Sequence, residues 1–151
     1  MNAQDPLLDR LVAARTAAKT LATATTAQKN AALEAIAQHI ETSITEIVAA
    51  NAEDLARGRD NGLDVGLLDR LLLDETRLRG LAAAVRGIIA LPDPVGCVGP
   101  GSTLPNGITL AQVRVPFGVV GAIYEARPNV TIDIAALALK SGNGAVLRGG
   151  T

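Results

Sequence analysis

The sequence predicts an α/β chain in three stretches: helices over residues 1–94, a β-hairpin arm over 95–116 and a strand–helix–strand unit over 117–151. Three observations predict it. Apolar residues recur at helical spacing as far as Pro92-Asp93-Pro94, and short extended runs replace them afterwards. Val119-Val120-Gly121-Ala122-Ile123 and Ala145-Val146-Leu147 read as apolar strands, expected to be covered on both faces. Between them, Val130 to Leu139 is dense in apolar residues with Asp133 its only charge, so that stretch reads as a largely buried helix stopped by Gly142. Strand, helix, parallel strand makes a βαβ unit, whose ligands gather at the carboxyl ends of the strands. Those ends are Tyr124-Glu125-Ala126-Arg127-Pro128-Asn129 and Arg148-Gly149-Gly150.

Taken in order, Asp5 caps a first helix with Pro6 at its first position, where a missing N–H costs nothing. Leu7, Leu8, Leu11 and Val12 form its expected buried stripe, and the helix runs to about Leu21. Thr25 and Gln28 make a capping box for a second helix, whose stripe of Leu33, Ile36, Ile40, Ile44 and Ile47 continues past a kink near Ser43 to the turn signal Asp60-Asn61-Gly62. A short helix is expected around Leu67 to Leu72, and Asp74 caps a fourth with Leu78, Leu81, Val85, Ile88 and Ile89 inward. Val95 to Gly99 and Ile108 to Val115 then read as two extended runs joined around Pro105-Asn106-Gly107, a hairpin signal, with Gly99-Pro100-Gly101 lengthening the connection.

Composition narrows the function. Nearly half of the residues are hydrophobic, yet Phe117 and Tyr124 are the only members of Phe, Tyr and Trp, so the core is built from Ala, Leu, Val and Ile. Net charge is −1 with Arg and Lys dispersed, which speaks against a nucleic-acid partner. No apolar run reaches the roughly 20 residues that a bilayer needs, and Met1 to Arg10 has no signal-peptide core. A cytoplasmic chain is expected. Cys97 is the lone cysteine, which excludes an internal disulfide and a multi-cysteine metal site. With no neighbouring Lys or His to lower its pKa, it reads as a small hydrophobic side chain. His39, the one histidine, sits one position off the Ile36–Ile40 stripe and reads as a partly exposed helical filler. Gly142-Asn143-Gly144 follows a helix rather than a strand, and Leu147 occupies the place of a third glycine, so it is not a dinucleotide fingerprint.

The segments Val115-Pro116-Phe117-Gly118-Val119-Val120-Gly121, Ile123-Tyr124-Glu125-Ala126-Arg127-Pro128-Asn129-Val130-Thr131 and Leu139-Lys140-Ser141-Gly142-Asn143 resemble the gamma-glutamyl phosphate reductases, or glutamate-5-semialdehyde dehydrogenases, a family of the aldehyde dehydrogenase superfamily. Val146-Leu147-Arg148-Gly149-Gly150 fits as well. Asn51-Ala52-Glu53-Asp54, Asn61-Gly62-Leu63, Leu68-Asp69-Arg70-Leu71 and Asp93-Pro94-Val95-Gly96 follow in order upstream. The resemblance covers nearly the whole chain, whereas the family enzyme is much longer. It implies an aldehyde-dehydrogenase-like fold: N-terminal helices, a hairpin arm that serves oligomerisation, and the first βαβ unit of a Rossmann-type nucleotide-binding domain that is incomplete here. It also implies the NADPH-dependent reduction of L-glutamyl 5-phosphate to glutamate 5-semialdehyde, a step of proline biosynthesis, through a thioacyl-cysteine intermediate. The family nucleophile lies beyond Thr151, so the chain is expected to be the N-terminal portion and inactive alone. Its strand edges, left unsatisfied, are expected to invite a partner or aggregation. A non-catalytic oligomerisation or interaction fragment, and a related acyl-phosphate reductase, stay open as alternatives.

For the site, the resemblance puts a basic residue after the second strand against the cofactor's adenosine ribose or 2′-phosphate. Arg148 stands there, and an arginine fork suits a phosphomonoester, consistent with NADP. Gly149 and Gly150 let a backbone approach a phosphate or ribose. Ile123, Tyr124 and Glu125 line the expected nicotinamide channel. Two roles are open to Asn129: an amide donor to the oxyanion, although this loop lacks the superfamily's Pro-Trp-Asn form, or the cap of a helix starting at Val130. Arg127 pairs with an acyl phosphate or substrate carboxylate, or braces Glu125 or Asp133.

Overall fold

The computed structural model describes residues 6–125 and 127–150. Five helices come first: α1 (Pro6–Ala22), α2 (Thr26–Thr42), α3 (Ile44–Asp60), α4 (Val65–Leu71) and α5 (Glu75–Ala90). The strands β1 (Val98–Thr103) and β2 (Thr109–Val113), then β3 (Val119–Ile123), α6 (Pro128–Lys140) and β4 (Gly144–Arg148), complete the order. β1 and β2 pair antiparallel, and β3 and β4 pair parallel with Val119 opposite Gly144 and Ile123 opposite Arg148. The βαβ unit is therefore present.

Most helix ends follow the side chains expected to set them. Thr25 and Gln28 form the reciprocal capping box, and Asp74 accepts from the Arg77 N–H at 2.7 Å. Asp64 caps α4 the same way, which moves that helix's start to Val65. The cap expected at Asp5 lies outside the described residues, as does Thr151. At Ser43 the expected kink is a full break that divides one long helix into α2 and α3.

The core lies where α2, α5 and α6 meet. Leu33, Ala37, Ala82, Val85 and Ala136 are completely buried, joined by Leu78 and Ile40. Alanines at 37, 82 and 136 alternate there with the larger Leu33, Leu78 and Val85, so small and large side chains share the junction. Two buried lysines flank the end of α5. Lys29 Nζ reaches Asp93 at 2.5 Å and 2.7 Å, and Lys140 Nζ donates to Asn30 Oδ1 at 2.8 Å and to the Ile89 carbonyl at 3.0 Å. Burial pushes the Asp93 carboxyl up, but Lys29, the Thr26 hydroxyl and the Val95 N–H more than offset this and bring it down to about 2. On the surface of the same pair of helices, hydrogen bonds from Arg86 hold the Glu34 and Glu41 carboxyls below their usual range.

Several expectations need correction. Leu7, Leu8, Leu11 and Val12 do not form a buried stripe; they are 41–57% exposed. α1 instead lies on β4 through its small residues: a Cβ on Gly144 would come within 3.1 Å of the Ala14 carbonyl and 3.3 Å of the Ala18 methyl. Close approach there turns the larger side chains outward. β3 is not covered on both faces, since Gly121 and Ile123 are exposed. α6 is largely buried as expected, with Leu137 the one exposed position along it, at 51%. β1 begins at Val98, not Val95, because Val95 and Gly96 form a turn. It also runs through Gly99-Pro100-Gly101, where a register shift between Val98 and Gly101 absorbs the extra residues. The hairpin connection is thus the five residues 104–108. Cys97 is exposed, and His39 lies on the exposed face of α2, in line with its reading as a helical filler.

Candidate functional site

At the carboxyl ends of β3 and β4 the chain forms two adjacent clefts. One, of about 560 Å³, is walled by Asp54, Arg57 and Leu71 on the helical side and by Tyr124, Glu125 and Gly149 on the strand side. Arg127, Thr131 and Gly150 also line it. The other, of about 450 Å³, is walled by Arg70, Leu73, Arg77 and Leu81, with Arg127 and Asn129 facing them. Arg127 belongs to both. An open, parallel sheet places its ligand crevice at this edge.

Each side chain is positioned by its own local physics. Tyr124 continues the parallel ladder, its N–H donating to the Arg148 carbonyl at 3.1 Å. Its hydroxyl lies 2.6 Å from Thr131 Oγ1, tying the loop to the first turn of α6. A Cβ on Gly149 would stand 3.4 Å from the Tyr124 ring, so the glycine lets the strand end pass close to the aromatic face. Pro128 holds Arg127 in extended geometry, φ −129° and ψ 94°. Arg127 is thus the N-cap of α6, Pro128 its first residue and Asn129 its second. This corrects the expected start at Val130 and removes the capping role from Asn129. The wall shared by the clefts is fixed from behind by Asn51, whose amide donates to the Leu71 carbonyl at 2.9 Å and accepts from the Leu73 N–H at 2.7 Å.

The charges at the junction are loosely held. Arg127 Nε lies 3.8 Å and Arg70 Nη1 3.6 Å from the same Glu125 carboxylate oxygen. Glu125 is thus braced as expected, by Arg127, and by Arg70 as well. Arg77, in contrast, is fully engaged: it donates to Asp69 Oδ1 at 2.6 Å and to the Leu72 carbonyl at 3.1 Å. Arg57 is paired with Asp54.

Of the eight positions singled out from the sequence, five line the first cleft: Tyr124, Glu125, Arg127, Gly149 and Gly150. Asn129 lies with Arg127 in the second. Ile123 and Arg148 are register partners at the strand ends, both exposed and outside these two linings. Cys97 is at the other end of the unit. Its N–H and carbonyl bond to Pro94 and Arg114, residues of a smaller cavity beside Phe117 and Asn143, near the amino end of β3. Sequence reasoning did not single out Arg70, Asn51 or Thr131, although each stands in a segment that carries the family resemblance. Among the described residues, no group of three or more His, Cys, Asp or Glu is arranged to hold a metal ion, and no helix is long and apolar enough to cross a membrane.

No family model matches the chain. Curated relatives do: a gamma-glutamyl phosphate reductase of Clavibacter michiganensis is 65% identical over 147 residues, 97% of this chain and 34% of the relative. One of Leifsonia xyli is 64% identical over 145 residues, covering 96% and 34%. The crystal structure of gamma-glutamyl phosphate reductase from Thermotoga maritima superposes with a TM-score of 0.90 at 42% identity, covering 97% of this chain and 35% of that one. That from Saccharomyces cerevisiae gives 0.89 at 34% identity, covering 99% and 38%. In sequence and fold, the chain matches gamma-glutamyl phosphate reductase. It spans about a third of the length of the gamma-glutamyl phosphate reductases it matches. The expected α/β, aldehyde-dehydrogenase-like fold is that of these gamma-glutamyl phosphate reductase structures.

Proposed function

We propose that the chain is the N-terminal portion of a cytoplasmic, NADP-dependent gamma-glutamyl phosphate reductase. That enzyme would reduce L-glutamyl 5-phosphate to L-glutamate 5-semialdehyde with release of phosphate, in proline biosynthesis. The observation that carries the reading is the 65% identity across nearly the whole chain, supported by a paired cleft at the ligand edge of the parallel strands. The division into residues 1–94, 95–116 and 117–151 then acquires a purpose: cleft wall, oligomerisation arm and cofactor platform.

The cleft residues fit a nicotinamide dinucleotide. Gly149 leaves room for close backbone approach beside Tyr124, and the exposed guanidinium of Arg148 at the end of β4 has no carboxylate partner among the described residues. Arg148 would hold the 2′-phosphate, Gly149 and Gly150 would pass beside the pyrophosphate and ribose, and Tyr124 and Glu125, with Ile123 at the strand end, would border the nicotinamide. Hydride comes from NADPH when it is bound. Asn129 then donates its amide to the developing oxyanion, and Arg127 binds an anionic group of the substrate. The thioacyl intermediate would form on a cysteine outside these 151 residues, for Cys97 lines neither cleft and bonds instead to Asp93, Pro94 and Arg114.

Two assays test this. The protein translated from the complete reading frame is expected to reduce NADP with glutamate semialdehyde and phosphate, and a protein inert with this pair would refute the reading. The 151-residue polypeptide alone is expected to be inactive. A second role, association, is favoured by the exposed apolar side chains of the arm, including Val98, Ile108 and Val113. Sedimentation of the intact protein with charges placed at these positions is expected to show smaller assemblies.

A further inference from the structure

Arg70 and Arg127 are loosely held cations at the ligand edge of the strands. Both line the second cleft, both are about half exposed at the side chain, and both lie beside the same carboxylate oxygen of Glu125, at 3.6 Å and 3.8 Å. Neither guanidinium makes a hydrogen bond among the described residues. Two guanidinium groups, five N–H donors each, thus stand beside one carboxylate without hydrogen-bonding it. The other cation in the lining, Arg77, is consumed by Asp69 and by main-chain carbonyls, and in doing so it fixes the turn between α4 and α5.

We propose that Arg70 and Arg127 form a two-guanidinium clamp for an oxyanion of the substrate, with Glu125 as the internal carboxylate that the incoming anion displaces. Arginine forks match the planar edge of a carboxylate or a phosphoryl face with two parallel hydrogen bonds each. Asn129 lines the same cleft, so an anion held by the clamp lies beside the amide assigned to the reacting carbonyl. Arg70 comes from a helix that Asn51 anchors through Leu71; the clamp thus joins the helical stretch to the βαβ unit. The identity of the ligand as a substrate rests on the reductase reading. The clamp itself rests on the geometry.

The anion is the phosphoryl group or the amino-acid carboxylate, and the experiment separates them. Inorganic phosphate and L-glutamate are titrated separately into the full-length protein by calorimetry. Arg70→Ala and Arg127→Ala are each expected to weaken one of the two by about tenfold or more, which names the bound group. Glu125→Gln, by removing the competing charge, is expected to tighten the same ligand about threefold or more, a gain that a merely structural residue does not give. In the oxidation of glutamate semialdehyde, Arg70→Ala is expected to raise KM for phosphate or for the semialdehyde while leaving KM for NADP unchanged. Wild-type protein that binds neither anion overturns the clamp, as does Arg70→Ala with wild-type affinity for both or Glu125→Gln with weakened binding. Wild-type protein that binds an anion through Arg70 but turns over no semialdehyde overturns the reductase reading and leaves the clamp standing.

Discussion

The junction of α2, α5 and α6 and the clefts at the ends of β3 and β4 treat polar groups in opposite ways. At the helical junction each buried charge is held by short contacts: Lys29 by Asp93, Lys140 by Asn30 and a helix-end carbonyl. At the clefts, Arg70 and Arg127 each stand just beyond hydrogen-bond distance of Glu125. Burial explains the difference. A charge removed from water is costly unless a partner meets it, whereas a half-exposed arginine stays hydrated and is available to a ligand. Stability is concentrated in one region, and the recognition proposed above is assigned to the other.

Asp93→Ala breaks this division hardest. It leaves Lys29 buried without its counter-ion, and urea unfolding is expected to lose about 4 kcal/mol. The same pair sets the response to acid. Asp93 titrates at about 2 in the folded chain, below its ordinary value of 3.8. A depressed carboxyl contributes stability above the unfolded pKa and loses it as pH falls through the folded one. Unfolding free energy should therefore drop by about 2 kcal/mol between roughly pH 4 and pH 2, and Asp93→Ala should flatten that window. A midpoint for Asp93 near 4 in a carboxyl titration followed by NMR would count against the pairing.

Gly142→Ala is expected to cost about 1–2 kcal/mol. Gly142 ends α6 at φ +74°, and a Cβ there would press on Pro116 at 3.0 Å. Smallest is Arg70→Ala, expected to change stability by less than about 0.5 kcal/mol, since exposed pairs contribute little. A loss as large as that of Asp93→Ala would make Arg70 a fold residue and erase the contrast between the two regions.

What was legible in the sequence was local. The Thr25–Gln28 box, the Asp74 cap, the stop at Gly142 and the extended Arg127 before Pro128 all depend on neighbours within a few positions, and the structure has them. Periodicity reveals that a helix has an apolar stripe but not what covers it. It therefore predicts Leu7, Leu8, Leu11 and Val12 inward, while the small faces of Ala14 and Ala18 make the contact. Gly99-Pro100-Gly101 was read as a connection because a strand bulge has no strong local signature. The cleft is the least local feature. Arg70 meets Glu125 across more than fifty positions of chain, and only folding reveals it.

The most direct test of where the chemistry resides is a pair of variants in the full-length protein, assayed for semialdehyde-dependent reduction of NADP. Cys97→Ala is expected to keep kcat within about twofold, and Asn129→Ala to lower it by about 100-fold or more, the usual loss for an oxyanion donor. Abolished turnover in Cys97→Ala with full turnover in Asn129→Ala would move the reaction to the opposite end of the strands and contradict this account.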